Sequence, residues 1–363
     1  MNHSMRRALI DRAAMSANVE ALRKAAPARH TLVVVKANGY GHGAVTASRA
    51  ALAGGADWLG VADVTEALEL REAGITAPIL AWLHSARENF AAAVDAGVTI
   101  GVSTANQLDA LAQCDSPSVH LKVDSGLGRN GIGRAERSGF FEKAAQLHHA
   151  GSIRIDGVMS HLAGTSRASD LSQAEEFESA LSTLTELGVT PEIRHLAASA
   201  GAVDHPSLRY DMVRFGISAY GLAASENPSD VELTPVMTLE SEVIQLKQLR
   251  PGDGVSYNHT WVATADTTVA LVPLGYADGI PRAASGRAEV SLNGHRFPVV
   301  GRIAMDQFVV DLGGYDASLG DTVTVWGNPA LGAPHADEWA DWAGTIGYEI
   351  VTRVGHRVSR IAV

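Results

Sequence analysis

A lysine directly follows a buried apolar run near the start of the chain. Lys36 comes after Val33-Val34-Val35 and before Ala37-Asn38-Gly39-Tyr40-Gly41-His42-Gly43. Burial disfavours the charged ammonium, so a lysine at the end of such a strand can act as a nucleophile or a base. The glycines allow the backbone to approach a ligand closely. A solvated lysine at a strand end is the structural alternative.

Other polar side chains follow other apolar runs. Lys122 and Arg129 lie at and beyond the end of one run, His161 and Ser199 end two more, and Arg214 lies within another. Each of these residues alone is more often structural. Several polar residues at the C-terminal ends of different parallel strands are, however, what the active site of a barrel requires.

The elements that would position these side chains are short runs rich in Val, Ile and Leu, which recur up to about position 221. They do not alternate strictly with polar residues, as expected of strands that are buried on both faces. The runs are Thr31–Val35, Trp58–Ala62, Pro78–Leu83, Val98–Ser103, Val119–Asp124, Ile153–His161, Ile193–Ser199 and Met212–Gly221.

Helical patterns separate most of these runs, including Val64–Ala73 after a possible N-cap at Asp63, Arg87–Ala96 and Gln173–Leu187. About eight alternating β and α units predict an α/β fold of the (β/α)8 barrel type. An open doubly wound sheet is the rival architecture. A dinucleotide-binding version of it is disfavoured because no GxGxxG motif follows the first strand.

The pattern changes after about Glu226. Predicted strands are Val236–Leu246, Thr268–Pro273, Ala288–Val300 with an Asn293-Gly294 hairpin, Gln307–Leu312 and Thr322–Trp326, and His335–Ile346 resembles a helix. We therefore expect a barrel domain over 1–228 and a mostly-β domain over 229–363. The boundary is expected near Asn227-Pro228-Ser229, and the first few residues could pack with the second domain.

Composition excludes several classes of function. The chain has 363 residues, 46% of them apolar and 19% charged, and a formal net charge of −11. This acidity disfavours binding to nucleic acid or to an anionic membrane surface. The single cysteine, Cys114, cannot form an internal disulfide, and no Cys/His cluster indicates a metal. Met1–Ile10 lacks the apolar core of a signal peptide, so we expect a soluble cytoplasmic protein.

The chain resembles the alanine racemase family of barrel enzymes that depend on pyridoxal 5'-phosphate (PLP). The resemblance covers nearly the whole chain, in the family's order. The matching segments are VVVKANGYGHG (33–43), LKVDSGLGRNGI (121–132), SHLAGTS (160–166), RFGISAYG (214–221), GDGVSYNHTW (252–261), GYADGIPR (275–282), GRIAMDQFVVDL (301–312) and IGYEIVTRV (346–354).

The resemblance implies an isomerase that interconverts L- and D-alanine and supplies D-alanine for peptidoglycan. Lys36 would bind PLP covalently and act as the base on one face of the substrate Cα. Tyr257 would act on the opposite face, and in the family it serves the other subunit, which implies a homodimer with shared sites. Because racemisation removes a proton from one face and returns one to the other, a base on each face is the direct solution.

The resemblance also assigns supporting roles in the barrel. His161 and Arg214 would form a network that stabilises the phenolate of Tyr257. Arg214 would face the pyridine nitrogen and leave it unprotonated, because a guanidinium only donates hydrogen bonds. The cofactor phosphate would be held by Tyr40, Ser199, Tyr348 and the backbone amides of Gly216 and Ile217.

Substrate contacts follow from the same resemblance. Arg129 would lie near the PLP phenolic oxygen and the substrate carboxylate, positioned by Lys122, which is often carbamylated in the family. The backbone amide of Met305, beside Asp306, would also meet the carboxylate. Tyr276, together with Tyr348, would narrow the approach and favour a small side chain.

One position departs from the family pattern, because Ala304 stands where a cysteine often precedes the Met-Asp pair. Three alternatives stay open. They are a broad-specificity or serine-preferring racemase, a non-catalytic PLP-binding barrel protein and a barrel decarboxylase. Retention of Tyr257 and of the whole second domain disfavours the non-catalytic protein.

Overall fold

The computed structural model describes residues 4–85, 87–223 and 231–363. The expected domain boundary at Asn227-Pro228-Ser229 lies outside these residues.

The N-terminal part of the chain forms a parallel barrel. Strand β1 (Arg7–Ile10) is followed by eight parallel strands, β2 (His30–Val34), β3 (Trp58–Val61), β4 (Ile79–Ala81), β5 (Val98–Val102), β6 (Ser118–Lys122), β7 (Arg154–Met159), β8 (Ile193–His195) and β9 (Met212–Phe215). They are hydrogen-bonded in the order β8-β7-β6-β5-β4-β3-β2-β9. A parallel bridge between Ala198 and Arg214 brings the chain after β8 against β9, so the sheet nearly closes. The predicted (β/α)8 barrel is confirmed.

Helices connect the barrel strands. They are α1 (Arg12–Ala25), the single turn α2 (Lys36–Tyr40), α3 (Ala44–Ala53), α4 (Val64–Glu72), α5 (Ala91–Asp95), α6 (Ala105–Leu111), α7 (Arg137–His149), α8 (Arg167–Glu186) and α9 (Ser199–Asp204).

Several of these helices were predicted, with varying accuracy at their ends. The predicted N-cap of α4 is confirmed, because the side chain of Asp63 accepts a hydrogen bond from the backbone N–H of Glu66 at 3.0 Å. Two predicted boundaries were wrong. Helix α8 begins at Arg167, after an N-cap at Ser166, and α5 is shorter than its pattern.

The second part of the chain is mostly β. Its strands are β10 (Met237–Glu242), β11 (Gln245–Leu249), β12 (Gly254–Val255), β13 (Trp261–Val262), β14 (Thr267–Val272), β15 (Glu289–Leu292), β16 (His295–Val300), β17 (Phe308–Gly313), β18 (Thr322–Trp326) and β19 (Ser359–Ala362), with helices α10 (Ala336–Ala343) and α11 (Gly347–Thr352). Nine strands form one sheet in the order β11-β14-β17-β16-β15-β18-β10-β1-β19. Strand β1 thus belongs to the sheet of the second part, between β10 and β19.

Two local features of this sheet follow from the sequence. Asn293 and Gly294 have φ angles of 51° and 80° and join β15 to β16, which confirms the predicted two-residue hairpin. The run Val236–Leu246, predicted as one strand, is divided between β10 and β11. Among the described residues, no helix combines the length and the apolar character needed to cross a bilayer.

Candidate active site

A cavity of about 700 Å³ lies at the C-terminal ends of the barrel strands. Its size suits a small ligand or a cofactor. Ten of the fourteen predicted site residues line it: Lys36, Tyr40, Lys122, Arg129, His161, Ser199, Arg214, Gly216, Ile217 and Tyr348. They come from different strand ends and from helix α11, so the barrel converges them as the sequence predicts.

Lys36 follows β2 and opens a turn with an unusual backbone. Ala37, Asn38 and Gly39 have φ angles of 53°, 54° and 60°, and Tyr40 follows at 51°. This turn is left-handed, a conformation that costs L-residues other than glycine about 1–2 kcal/mol each. Burial, reinforced by the charge of Arg129, lowers the pKa of Lys36. A neutral amine is therefore more accessible here than in water.

Arg214 on β9 is 4% exposed and is the hub of the polar contacts in the barrel. Its Nη2 donates to the carbonyl oxygens of Ser160 at 2.7 Å and Leu196 at 2.9 Å, and contacts Nδ1 of His161 at 3.1 Å. Its Nη1 contacts Nδ1 of His195 at 3.0 Å. None of these contacts uses Nε. Burial lowers the pKa of Arg214 to about 10, so the guanidinium stays protonated at neutral pH.

These contacts fix the protonation of a chain of histidines. A guanidinium only donates, so Nδ1 of His161 and Nδ1 of His195 must both accept. The neutral rings then carry their protons on Nε2, and His195 donates to Nδ1 of His120 at 2.9 Å. Burial is the main cause that lowers the pKa of His161 to about 3 and that of His120 to about 4. The N–H of His161 Nε2 is consequently left for a group outside this chain of contacts.

Two further cations flank Lys36. Lys122 ends β6 and is buried, and burial together with the charges of Arg214 and Arg129 lowers its pKa to about 8. Arg129 lies in the loop that follows. The cavity therefore concentrates positive charge although the whole chain is acidic, which suits an anionic ligand.

The side of the cavity next to β9 is closely packed around Gly216. The backbone N–H of Gly216 donates to Oγ of Ser199 at 3.1 Å. A Cβ atom at Gly216 would lie 2.8 Å from Oη of Tyr40, so any larger residue would force that hydroxyl to shift. The ring of Tyr40 lies 6.2 Å from the ring of Tyr348, which is carried by α11. Hydroxyl groups and main-chain amides thus converge here, as a phosphate site requires.

The remaining four predicted residues do not line the cavity of this chain. Tyr257 is 70% exposed, Met305 53% and Tyr276 39%, and Asp306 is also exposed. Asp306 is bound at 2.7 Å by Arg357. The structure therefore places ten of the predicted residues around the cavity, nine from the barrel and Tyr348 from α11, and presents the other four on the surface of the β domain.

Some residues of the site were not anticipated. Trp82, Asp170 and His205 also line the cavity, and His195 and His120 extend the contacts of Arg214. His195 ends strand β8, but the predicted run continued to Ser199, so the strand-end argument selected Ser199 and missed His195. His120 precedes Lys122 by two positions in a strand, and no local signal distinguishes it from an ordinary core residue.

Fold and site together define a class of protein, an α/β barrel with a strand-end lysine in a cationic cavity and an attached β domain. Comparison with family models gives a match to "Alanine racemase, N-terminal domain" over residues 10–224 and to "Alanine racemase, C-terminal domain" over residues 236–362. The chain belongs to the alanine racemase family.

Individual proteins are similar over nearly their full lengths. The chain is 45% identical to the alanine racemase of Thermobifida fusca, over 99% of this chain and 98% of that protein, and 44% identical to that of Mycobacterium tuberculosis H37Rv, over 97% and 94%. The crystal structure of alanine racemase from D-cycloserine-producing Streptomyces lavendulae superposes with a TM-score of 0.97 at 41% identity, covering 100% and 98% of the two chains. That from Bacillus anthracis, with bound L-Ala-P, gives 0.92 at 36% identity, covering 100% and 96%.

Proposed function

We propose that this chain is a PLP-dependent alanine racemase that interconverts L- and D-alanine with two bases, Lys36 and Tyr257. The observation that carries the proposal is the desolvated Lys36 in a cation-rich barrel cavity, in a chain that belongs to this family. The proposed physiological role is the supply of D-alanine for peptidoglycan.

The residues of the cavity fit PLP. Gly216 leaves no room for a Cβ beside Tyr40, and the donors around it suit a phosphate dianion. The residues that would hold the cofactor are Lys36, Tyr40, Ser199, Arg214, Gly216, Ile217 and Tyr348. When bound, PLP supplies an electron sink that acidifies the Cα–H bond of an amino acid.

The two bases have different requirements. Lys36 needs a neutral amine to take a proton from one face of Cα, and its lowered pKa favours that form. Tyr257 must return a proton on the other face, and its phenolate needs a hydrogen-bond donor. The N–H of His161 Nε2 can serve, because Arg214 occupies Nδ1 of the same ring. Nε of Arg214 remains a donor for the pyridine nitrogen, which it cannot protonate.

A second copy of the chain would complete this arrangement. Tyr257 does not line the cavity of its own chain, and Tyr276 and Met305 are also exposed on the β domain. In a symmetric dimer each β domain would serve the cavity of the other subunit. Homodimerisation with shared sites is therefore part of the proposal.

Substrate recognition would use residues of both the barrel and the β domain. Arg129 would bind the substrate carboxylate together with the amide of Met305, beside Asp306. The lowered pKa of Lys122 makes its neutral amine more accessible, and that amine can add CO₂ with release of a proton; the resulting carbamate would be an anion that positions Arg129. Tyr276 and Tyr348 would limit the space to a small side chain.

Borohydride trapping tests the proposal. The purified protein is reduced in the presence of PLP, digested and mapped by mass spectrometry. We expect the label on Lys36 and its loss in Lys36→Ala, whereas Lys247→Ala, which removes an exposed lysine, serves as the matched control. Turnover should be faster on alanine than on serine or lysine, without release of CO₂. A label on another lysine, or no racemisation of alanine, would refute the proposal.

A further inference from the structure

Glu66 bridges two backbone segments at the mouth of the barrel. It lies on α4, and its Oε1 accepts a hydrogen bond from the backbone N–H of Ala37 at 2.6 Å. Its other oxygen, Oε2, accepts from the backbone N–H of Ala62 at 2.8 Å. The carboxylate thus ties the residue after Lys36 to the residue after β3.

The segment that Glu66 holds is unfavourable by itself. Ala37 and Asn38 are left-handed and exposed, so core packing cannot fix their conformation. The far end of the turn is held through Asn38, whose side chain accepts from Ala44 N at 2.9 Å and whose carbonyl accepts from Gly43 N at 2.8 Å. The near end, next to Lys36, is held by Glu66.

We propose that Glu66 is a positioning residue for Lys36. Its carboxylate keeps Ala37 in the left-handed turn and thereby sets the direction of the Lys36 side chain into the cavity. It also supplies a negative charge close to that amine. The inference rests on the proposed role of Lys36 and adds a group that determines its orientation and its protonation.

Charged groups from several elements face Lys36. Arg129 and Lys122 come from the end of β6 and the loop after it, and His161, which follows β7, is neutral. Glu66 comes from α4 and raises the pKa of Lys36 against the effects of burial and of Arg129. Removing the charge of Glu66 should therefore lower the pKa of Lys36 further.

The test measures the protonation of Lys36 without cofactor or substrate. The full chain is freed of bound PLP and treated with an amine-reactive acetylating reagent at a series of pH values. Labelling of the Lys36 peptide is followed by mass spectrometry, with the exposed Lys247 as internal reference. Glu66→Gln removes the charge and one acceptor. Glu69→Gln makes the same change at an exposed position on the same helix.

We expect the labelling midpoint of Lys36 to move to lower pH in Glu66→Gln and to stay unchanged in Glu69→Gln. A role of Glu66 in stability alone would not move this midpoint. An unchanged midpoint in Glu66→Gln would overturn the proposal. Because neither PLP nor alanine takes part, this outcome can be distinguished from a failure of the proposed racemase activity.

A second variant separates the turn from the charge. Glycine adopts left-handed backbone angles without the steric penalty of a Cβ atom, so Ala37→Gly should reduce the need for Glu66. In Glu66→Gln we expect borohydride trapping of PLP on Lys36 to slow about tenfold, the scale of one charge-assisted hydrogen bond. Glu66→Gln/Ala37→Gly should recover most of that rate but keep the lowered midpoint. No recovery of the rate would overturn the positioning role.

Discussion

The barrel and the β domain each carry part of the predicted site, but they hold it in opposite ways. In the barrel, Arg214 and Lys122 are buried, and the contacts of Arg214 fix the rings around it. In the β domain, Tyr257 and Met305 are exposed, and neither lines the cavity.

The difference shows which half one chain can organise by itself. Burial and directed hydrogen bonds hold the residues that are proposed to bind the cofactor in place before any ligand arrives, which is how a site avoids reorganisation during reaction. The predicted residues of the β domain, by contrast, are exposed and do not line the barrel cavity. In the proposed dimer, the two groups of residues would form one site where the β domain of one chain meets the barrel of the other.

The largest effect is expected from removing the exposed base. Tyr257→Phe should reduce racemisation by about 10²- to 10⁴-fold, the usual contribution of a positioned acid or base. Since Lys36 remains, exchange of the Cα proton with D₂O should persist for one enantiomer and be lost for the other. Racemisation is followed by chiral chromatography and exchange by NMR.

The matched control for this variant is Tyr315→Phe. Tyr315 is also on the β domain, where its ring packs against Phe297 at 5.0 Å, away from the cavity. Its loss should leave racemisation unchanged. Equal activity of the Tyr257→Phe and Tyr315→Phe variants would exclude Tyr257 as a base.

The next effect concerns the buried histidines of the barrel. The pKa of His120 is about 4 in the folded chain and about 6.5 in the unfolded chain. Between these values the unfolded chain binds more protons, so stability falls as the pH falls from about 6.5 to about 4. His120→Asn should make the free energy of unfolding less dependent on pH, by at most about 3 kcal/mol over this range.

Denaturant unfolding at several pH values measures this slope. His356→Asn, at an exposed histidine, is the control and should leave the slope as it is. If the stability of His120→Asn has the same pH dependence as that of the unmodified chain, the assignment of a neutral ring to His120 is wrong.

A smaller effect is expected where the cavity is tightest. Gly216→Ala would place a Cβ 2.8 Å from Oη of Tyr40 and displace that hydroxyl. The affinity for PLP, measured by fluorescence titration, should fall about tenfold, the scale of one lost hydrogen bond to a charged group. Gly139→Ala, where a Cβ meets nothing within 4 Å, is the control. Unchanged PLP affinity in Gly216→Ala would remove this part of the cavity from the cofactor site.

The sequence predicted the barrel and its strand-end residues because those features are local. Runs of buried Val, Ile and Leu, an Asn-Gly hairpin and polar residues at strand ends follow from periodicity and turn chemistry. Helix ends were less accurate, as at α8, because the N-cap Ser166 lies seven residues before the start of the predicted pattern.

The features that were missed depend on long-range contacts. The sequence suggested that the first residues could pack with the second domain, but it did not indicate that strand β1 pairs with β10 and β19, more than 200 residues away. The left-handed turn at Ala37 opposes the intrinsic preference of alanine, so the surrounding structure must impose it. The contacts between Arg214, His195 and His120 join side chains of β9, β8 and β6, and β7 lies between the last two, so only the closed barrel brings these side chains together.

The central claim, that one chain's barrel is completed by another chain's β domain, is tested most directly by mixing two inactive variants. Lys36→Ala and Tyr257→Phe are combined in equal amounts, and exchange of subunits is verified by native mass spectrometry. With random exchange half of the dimers are hybrids, each with one complete site, so about a quarter of the activity should return. If verified hybrids stay inactive, the two residues do not share a site across subunits.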